Sequence, residues 1–301
     1  MSTDKDAATR PALPVQLHAA TRDKHHALNV DVLAHLPQSL PPIASNSLPY
    51  ATGMVVFGQV YFAFEDQMQE TLRRDETPET TRDIYQHIFF PRLLRTARLR
   101  ADIDALKSKF GPHTEEGLIS LGEQSKRFYD QVRRTLNDKP HVILAYAWTM
   151  YLALFNGGRW IRKQLATPGY DFWQGDSALS FWDFNDGDNT ESDEALKLAF
   201  KDGFSTAADF LSDEEKDDVI EGSKALFDLC REMIAFLDTV TKTHESLRPF
   251  DARPVAQSWW PSYTMVGNSI VAPVWNNIAS GVSSIRQTAA SAWVRKEVSS
   301  E

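Results

Sequence analysis

The sequence predicts an all-α protein, a multi-helical bundle. Two observations carry this. From Leu13 to about Thr243, apolar residues recur three and four positions apart, the spacing of one helix face. Nowhere does a strand-length stretch alternate apolar and polar residues between hairpin turns.

Each segment supports that class in turn. Residues 1–12 are polar and are expected to be a disordered N-terminus. ATRDKHHALN (20–29) continues a helix from Leu13. LAHLPQSLPPIASNSLP (33–49) holds four prolines and reads as a loop, because an interior proline removes a helix hydrogen bond. DIDALKSKFGP (102–112) and EEGLISLGEQSKRFYDQVRRTLND (115–138) have helical spacing. PHVILAYAWTMYLALFNGGRWIRKQL (140–165) opens on a proline suited to a first turn. Its residues 142–155 are apolar nearly all round, which predicts a buried helix.

DFWQGDSALSFWDFNDGDNTESDE (171–194) reads as an ordered aromatic loop followed by an acidic, solvated one. The acidic half lacks the glycine and terminal glutamate spacing of a calcium loop. SDEEKDDVIEGSKALFDLCREMIAFLDTV (212–240) opens on a capping box, Ser212 with Glu215. Val219, Leu226, Leu229, Ile234 and Leu237 form its apolar stripe. After His244 the pattern changes, so residues 13–247 are expected to form one domain and 248–301 a linker with an amphipathic C-terminal segment.

Composition narrows the function. Of 301 residues, 42% are hydrophobic and 24% charged, ordinary for a soluble globular protein. The net charge of −9 argues against nucleic acid as a partner, since phosphate binding needs a basic surface. The single cysteine, Cys230, forbids an internal disulfide and points to a reducing compartment. The N-terminus has no apolar core like that of a signal peptide. No run of about 18 apolar residues is present to span a bilayer.

Three features are candidates for chemistry. On a helical wheel Leu17, Thr21 and Leu28 share a face with His25 at its edge, and His26 points away. A neutral imidazole offered from a helix into an apolar pocket suits a metal, haem iron included; a hydrogen-bonded core histidine fits the same pattern. Gly157-Gly158 interrupts a buried helix, where each glycine costs about 1 kcal/mol relative to alanine. Either a kink admits a flat ligand to the backbone, or two helices cross closely there, or the helix ends. Lys197 and Lys201 lie four apart in EALKLAFKDGF (194–204) and share a face that suits carboxylates or simply water.

Together these stretches resemble the haem oxygenase family, in order and spacing. ATRDKHHALN resembles the proximal helix, and HIFFPRLLRTARLRADI (87–103) the Phe-Pro segment with its following helix. AYAWTMYLALFNGGR (145–159) resembles the distal helix, ALSFWDF (178–184) the aromatic strip after it, and VIEGSKALF (219–227) the start of the last helix. The resemblance implies haem lying between proximal and distal helices, with His25 the axial ligand. It implies that Arg22, Lys197 and Lys201 bind propionates, with His18 and Trp148 at further family positions near them. It further implies that Gly157 and Gly158 let the distal backbone approach the ring. The implied reaction opens haem with O₂ and electrons from an NADPH-dependent reductase, giving biliverdin, CO and iron.

The distal helix departs from the family pattern. Leu154 stands where the family has an aspartate that organises a proton-delivering water chain, and leucine cannot hydrogen-bond. Met150 replaces an arginine of that network and Ala153 a glycine. Asn156 is the nearest polar residue able to order water in the acid's place. These departures keep open a second reading, a haem-binding or haem-sensing protein with weak or lost catalysis. A third reading is a helical interaction protein that binds no haem.

The tail adds an expectation of its own. Val271, Trp275, Ile278, Val282, Ile285, Ala289 and Trp293 recur at helical steps opposite a face of Ser, Thr and Asn, with Pro273 limiting the helix upstream. Trp259, Trp260, Trp275 and Trp293 are half of the eight tryptophans. The pattern fits peripheral membrane contact and equally a helix docked on the protein. The expected location is the cytoplasm, on the cytosolic face of an internal membrane where the tail binds lipid.

Overall fold

The computed structural model describes residues 10–184, 192–243 and 245–247. Among them every regular element is helical. In chain order the α-helices are α1 Leu13–His35, α2 Leu48–Arg73, α3 Glu79–Ile88, α4 Thr96–Lys107 and α5 Pro112–Asp138. They continue as α6 Ile143–Ala153, α7 Arg159–Leu165, α8 Tyr170–Trp173, α9 Asp193–Asp209 and α10 Asp213–Thr243. Between α6 and α7 the residues Leu154–Gly158 form a π-helical turn. The expected C-terminal segment 248–301 lies outside the described residues, as does the acidic stretch 185–191.

Packing follows the sequence pattern closely. In α6, Ile143 to Trp148 and Met150 to Leu152 are all buried, as a helix apolar all round requires. The α2 helix, apolar over much of its length, packs mainly on α5 and α4. The capping box of α10 forms as expected. Glu215 N donates to Ser212 Oγ at 3.2 Å, and Ser212 N donates to Glu215 Oε2 at 2.9 Å. Reciprocal bonding satisfies two helix-end N–H groups at once.

Two boundaries differ from the sequence reading. The proline-rich stretch is shorter than 33–49, because α1 runs to His35 and α2 starts at Leu48, with a 3₁₀ turn at Leu36–Ser39. Pro49 sits in the first turn of α2, where its missing N–H leaves no bond unmade. The aromatic loop after α7 also carries short helical turns, α8 and Ser180–Trp182. At the other end, Arg10 donates to Asp213 O at 2.7 Å and to Asp217 at 2.5 Å, so the residues just before α1 are held against α10.

A ladder of charged pairs fixes α1 along α10. Lys24 meets Asp228 at 2.6 Å, Arg231 meets Asp31 at 2.7 Å, and His35 meets Asp238 at 3.1 Å. Each exposed pair is worth little by itself. Spaced along two helices, they line the seam between α1 and α10. Leu13, Leu17 and Thr21 are the buried residues of that face.

Candidate functional site

On α1, His25 is half-buried and His26 exposed, as the helical phase requires. The ring of Phe227 on α10 meets the His25 ring edge-on at 5.9 Å. Burial, then the neighbouring His18 and His26, push the His25 pKa below 6.5. The imidazole therefore favours its neutral form, the form of histidine that ligates metals. His18 is half-buried one turn before Arg22. Arg22 itself is 78% exposed, with Asp23 at 3.6 Å.

The second candidate element is the end of α6 with the π turn. Ala153 and Gly157 are the exposed residues here, while Leu154, Phe155 and Gly158 are buried. The two glycines act differently. A Cβ on Gly157 would meet nothing within 4 Å. A Cβ on Gly158 would lie 3.3 Å from the Ala153 carbonyl oxygen and 3.3 Å from the Trp182 ring. Gly158 thus serves close packing, and Gly157 leaves a bare backbone beside open space. The extra residue of a π turn accounts for the break in the helix without any change of direction enforced by proline.

Aromatic residues after α7 brace this element. Phe155 stacks on Phe184 with centroids 4.3 Å apart and planes 7° from parallel. Trp182 Nε1 donates to Tyr50 Oη at 3.0 Å, and Tyr50 donates onward to Ala178 O at 3.3 Å. Asp102 accepts from Phe181 N at 2.7 Å and from Ser180 Oγ at 2.7 Å, which anchors the strip to α4.

The basic pair comes from α9. Lys197 Nζ donates to Asn156 Oδ1 at 3.1 Å, so the structure joins two candidate residues 41 positions apart. Burial lowers the pKa of both Lys197 and Lys201, and the charge of Lys197 lowers that of Lys201 further. The carboxylate of Glu194 offsets this in part for both lysines, and Asp202 does so for Lys201. Trp148 is buried between Phe204, at 4.3 Å, and Phe200, at 6.5 Å, and so packs α6 on α9.

Of the residues that depart from the family pattern, Leu154 and Met150 are core members and Ala153 is exposed. Leu154 is 4% exposed and Met150 7%. Beneath them lies a polar network absent from the sequence-based candidates. Glu65 on α2 is fully buried. Its carboxylate accepts from Arg95 N at 2.8 Å, Thr96 N at 2.8 Å and Tyr151 Oη at 3.0 Å. Burial raises its pKa, opposed by those hydrogen bonds. Arg95, also fully buried, donates to Phe181 O at 3.1 Å and Asp183 O at 2.5 Å. Its pKa is pushed down to about 10, chiefly by burial and then by Arg98. Tyr61 donates to Met150 O at 3.1 Å. The available signal was the acid Glu65 that, with Asp66 beside it, closes the apolar run VYFAF (60–64).

Fold and donor set thus define a helical protein with a neutral histidine on one helix, a bare backbone turn on another, and paired ammonium groups beside that turn. The family model described as "Heme oxygenase" matches residues 12–235. The chain belongs to the haem oxygenase family. It is 26% identical over 135 residues to heme oxygenase 1 of Synechocystis sp., covering 45% of this chain and 51% of that protein. It is 25% identical over 161 residues to heme-binding protein HMX1 of Saccharomyces cerevisiae, covering 51% of this chain and 50% of that protein. The match therefore spans about half the length of these relatives.

Among solved structures, the Synechocystis heme oxygenase-1 complex with heme has a TM-score of 0.56 at 20% identity, covering 77% of this chain and 95% of that one. Heme oxygenase 2 from Chlamydomonas reinhardtii, without heme, has a TM-score of 0.57 at 23% identity, covering 75% and 97%. These likenesses establish the fold.

The residues present fit a haem. A haem needs an axial donor, room for a flat ring, and partners for its carboxylates. His25 is a neutral donor, Gly157 leaves space where a side chain would stand, and Lys197 and Lys201 are half-buried cations.

Proposed function

We infer that this chain binds haem between α1 and the π turn and opens its ring with O₂ and reductase electrons to biliverdin, CO and iron. The observation that carries this is the half-buried placement of His25 on α1, with its ring held neutral by burial, in a chain of this family. Such an imidazole need not lose a proton to ligate iron near pH 7. When bound, haem supplies the redox-active iron and is itself the substrate. His25 holds the iron, Lys197 and Lys201 hold the carboxylates, with Arg22 and His18 as further basic partners, and Gly157 presents backbone to the ring.

Protons are the step this chain must solve differently. Leu154 and Met150 offer no exchangeable proton, and both are packed in the core. Asn156 is the polar residue of this helix nearest the position of the family's acid. A second reading, haem binding without ring opening, draws on the same two residues. Haem titration followed by reduction under O₂ separates them. The expected outcome is a Soret band, lost in His25→Ala, and then biliverdin absorbance. Stable bound haem with no ring opening over many turnovers favours the second reading. Introducing an acid by Leu154→Asp also tests it, and this change buries a carboxyl in the core, so turnover must be compared at matched folded fraction.

For the tail we propose peripheral binding to a membrane facing the cytosol, through the Trp-bearing face of 270–293. No described helix is long and apolar enough to cross a bilayer. Flotation of the full chain with anionic vesicles is the expected result.

A further inference from the structure

Asn156 is the one residue of the π turn that touches α9 by a hydrogen bond, through Lys197. An ammonium group only donates, so the amide oxygen of Asn156 must face Lys197 and its NH₂ must face away. That Nδ2 atom is buried and has no hydrogen-bond partner. A buried donor left unpaired costs about 1–3 kcal/mol, so the position calls for an acceptor that the described residues do not supply. Lys197 has one hydrogen bond, to Asn156, and an ammonium group can donate three. The nearby carboxylate of Glu194 is drawn to Arg159 at 2.9 Å and stays 3.9 Å from Lys197 Nζ.

We propose that Asn156 is a carboxylate-specificity residue: its oxygen holds Lys197 in place, and its Nδ2 donates to the same carboxylate that Lys197 binds. This rests on the haem reading above and adds to it a residue from the distal wall, which thereby reads the edge of the ring as well as its face. It also separates two roles that one polar residue could play. A water-ordering amide is indifferent to the carboxylates of the porphyrin; a carboxylate-holding amide is not.

The test compares haem with its dimethyl ester, which keeps the iron and ring but lacks both negative charges. Absorbance titrations of the full chain read the dissociation constants. Asn156→Leu is expected to weaken haem binding about tenfold, the loss of a hydrogen bond to a charged group, and to leave ester binding within about twofold. Asn156→Asp keeps an acceptor for Lys197 but replaces the donor with a negative charge. It is expected to weaken haem binding more than Asn156→Leu does, again sparing the ester. Asn156→Leu combined with Lys197→Met should weaken haem binding by less than the product of the two single effects, because both act on one carboxylate.

Equal weakening of haem and ester by Asn156→Leu overturns the proposal and leaves Asn156 a structural residue. So does haem binding by Asn156→Asp at wild-type strength. A wild type with no Soret change on either porphyrin overturns the haem reading itself, and this inference with it.

Discussion

At the scale of single residues, Glu65 is the most demanding side chain in the molecule. A carboxyl in a fully buried position is tolerated only because three donors converge on it. Two of these are the N–H groups of Arg95 and Thr96, where α4 begins. A negative group there also meets the positive end of the helix. The third, Tyr151, ties the network to α6, two residues before its end. Glu65→Ala leaves three buried donors unpaired, and is expected to cost on the order of 3 kcal/mol or more. In a domain of this size that lowers Tm by about 6–12 °C. Glu65→Gln keeps the volume and one acceptor oxygen and should lose less. Calorimetry of the two variants checks the order.

At the scale of elements, the glycines of α9 and the π turn make opposite demands. A Cβ on Gly203 would collide with the backbone oxygen of His87 at the end of α3. Backbone cannot step aside as a side chain can, so Gly203→Ala should destabilise the protein by about 1–3 kcal/mol. A Cβ on Gly157 meets open space. Gly157→Ala should therefore leave the haem-free protein as stable as the wild type, or more so by up to about 1 kcal/mol. Its haem affinity should fall, because the added methyl occupies the face left bare for the ring. Thermal melts beside haem titrations of both variants distinguish a packing glycine from a binding one. Gly157 and Gly158 were equivalent as letters in the sequence. Only Trp182 and the Ala153 carbonyl, against Gly158 alone, assign them different work.

At the scale of the whole molecule, helix pairs distant in sequence are joined by charged contacts that respond to pH. Arg133 on α5 donates to Glu70 on α2 at 2.6 Å. That bond leads the causes holding the Glu70 carboxyl below its usual 4.5. A depressed carboxylate contributes stability that is present above pH 4.5 and is lost as pH falls through its folded value. Arg133→Met removes that contribution, so its stability should fall less steeply with acid below pH 4.5 than that of the wild type. Denaturant titrations at pH 3 to 7 would show the two curves converging at the acid end. Removing residues 248–301 should leave the melt and the haem affinity of the remaining chain unchanged and abolish vesicle flotation. Parallel assays on the two forms check both halves of that expectation.

The sequence by itself determined the helical class, the buried character of α6, the capping box of α10 and the deeper burial of His25 than of His26. These are local matters. Helical period, cap chemistry and side-chain phase are written within a few turns of chain. Family resemblance then supplied the order of proximal and distal helices. Tertiary structure decided what depends on residues far apart. It put Lys197 against Asn156 and lowered the pKa of His25 by burial. It placed Leu154 in the core and gathered Glu65, Arg95 and Tyr151 into one network. Burial and hydrogen-bond partnership are properties of packed surfaces, and no window of neighbouring residues contains both sides of the contact.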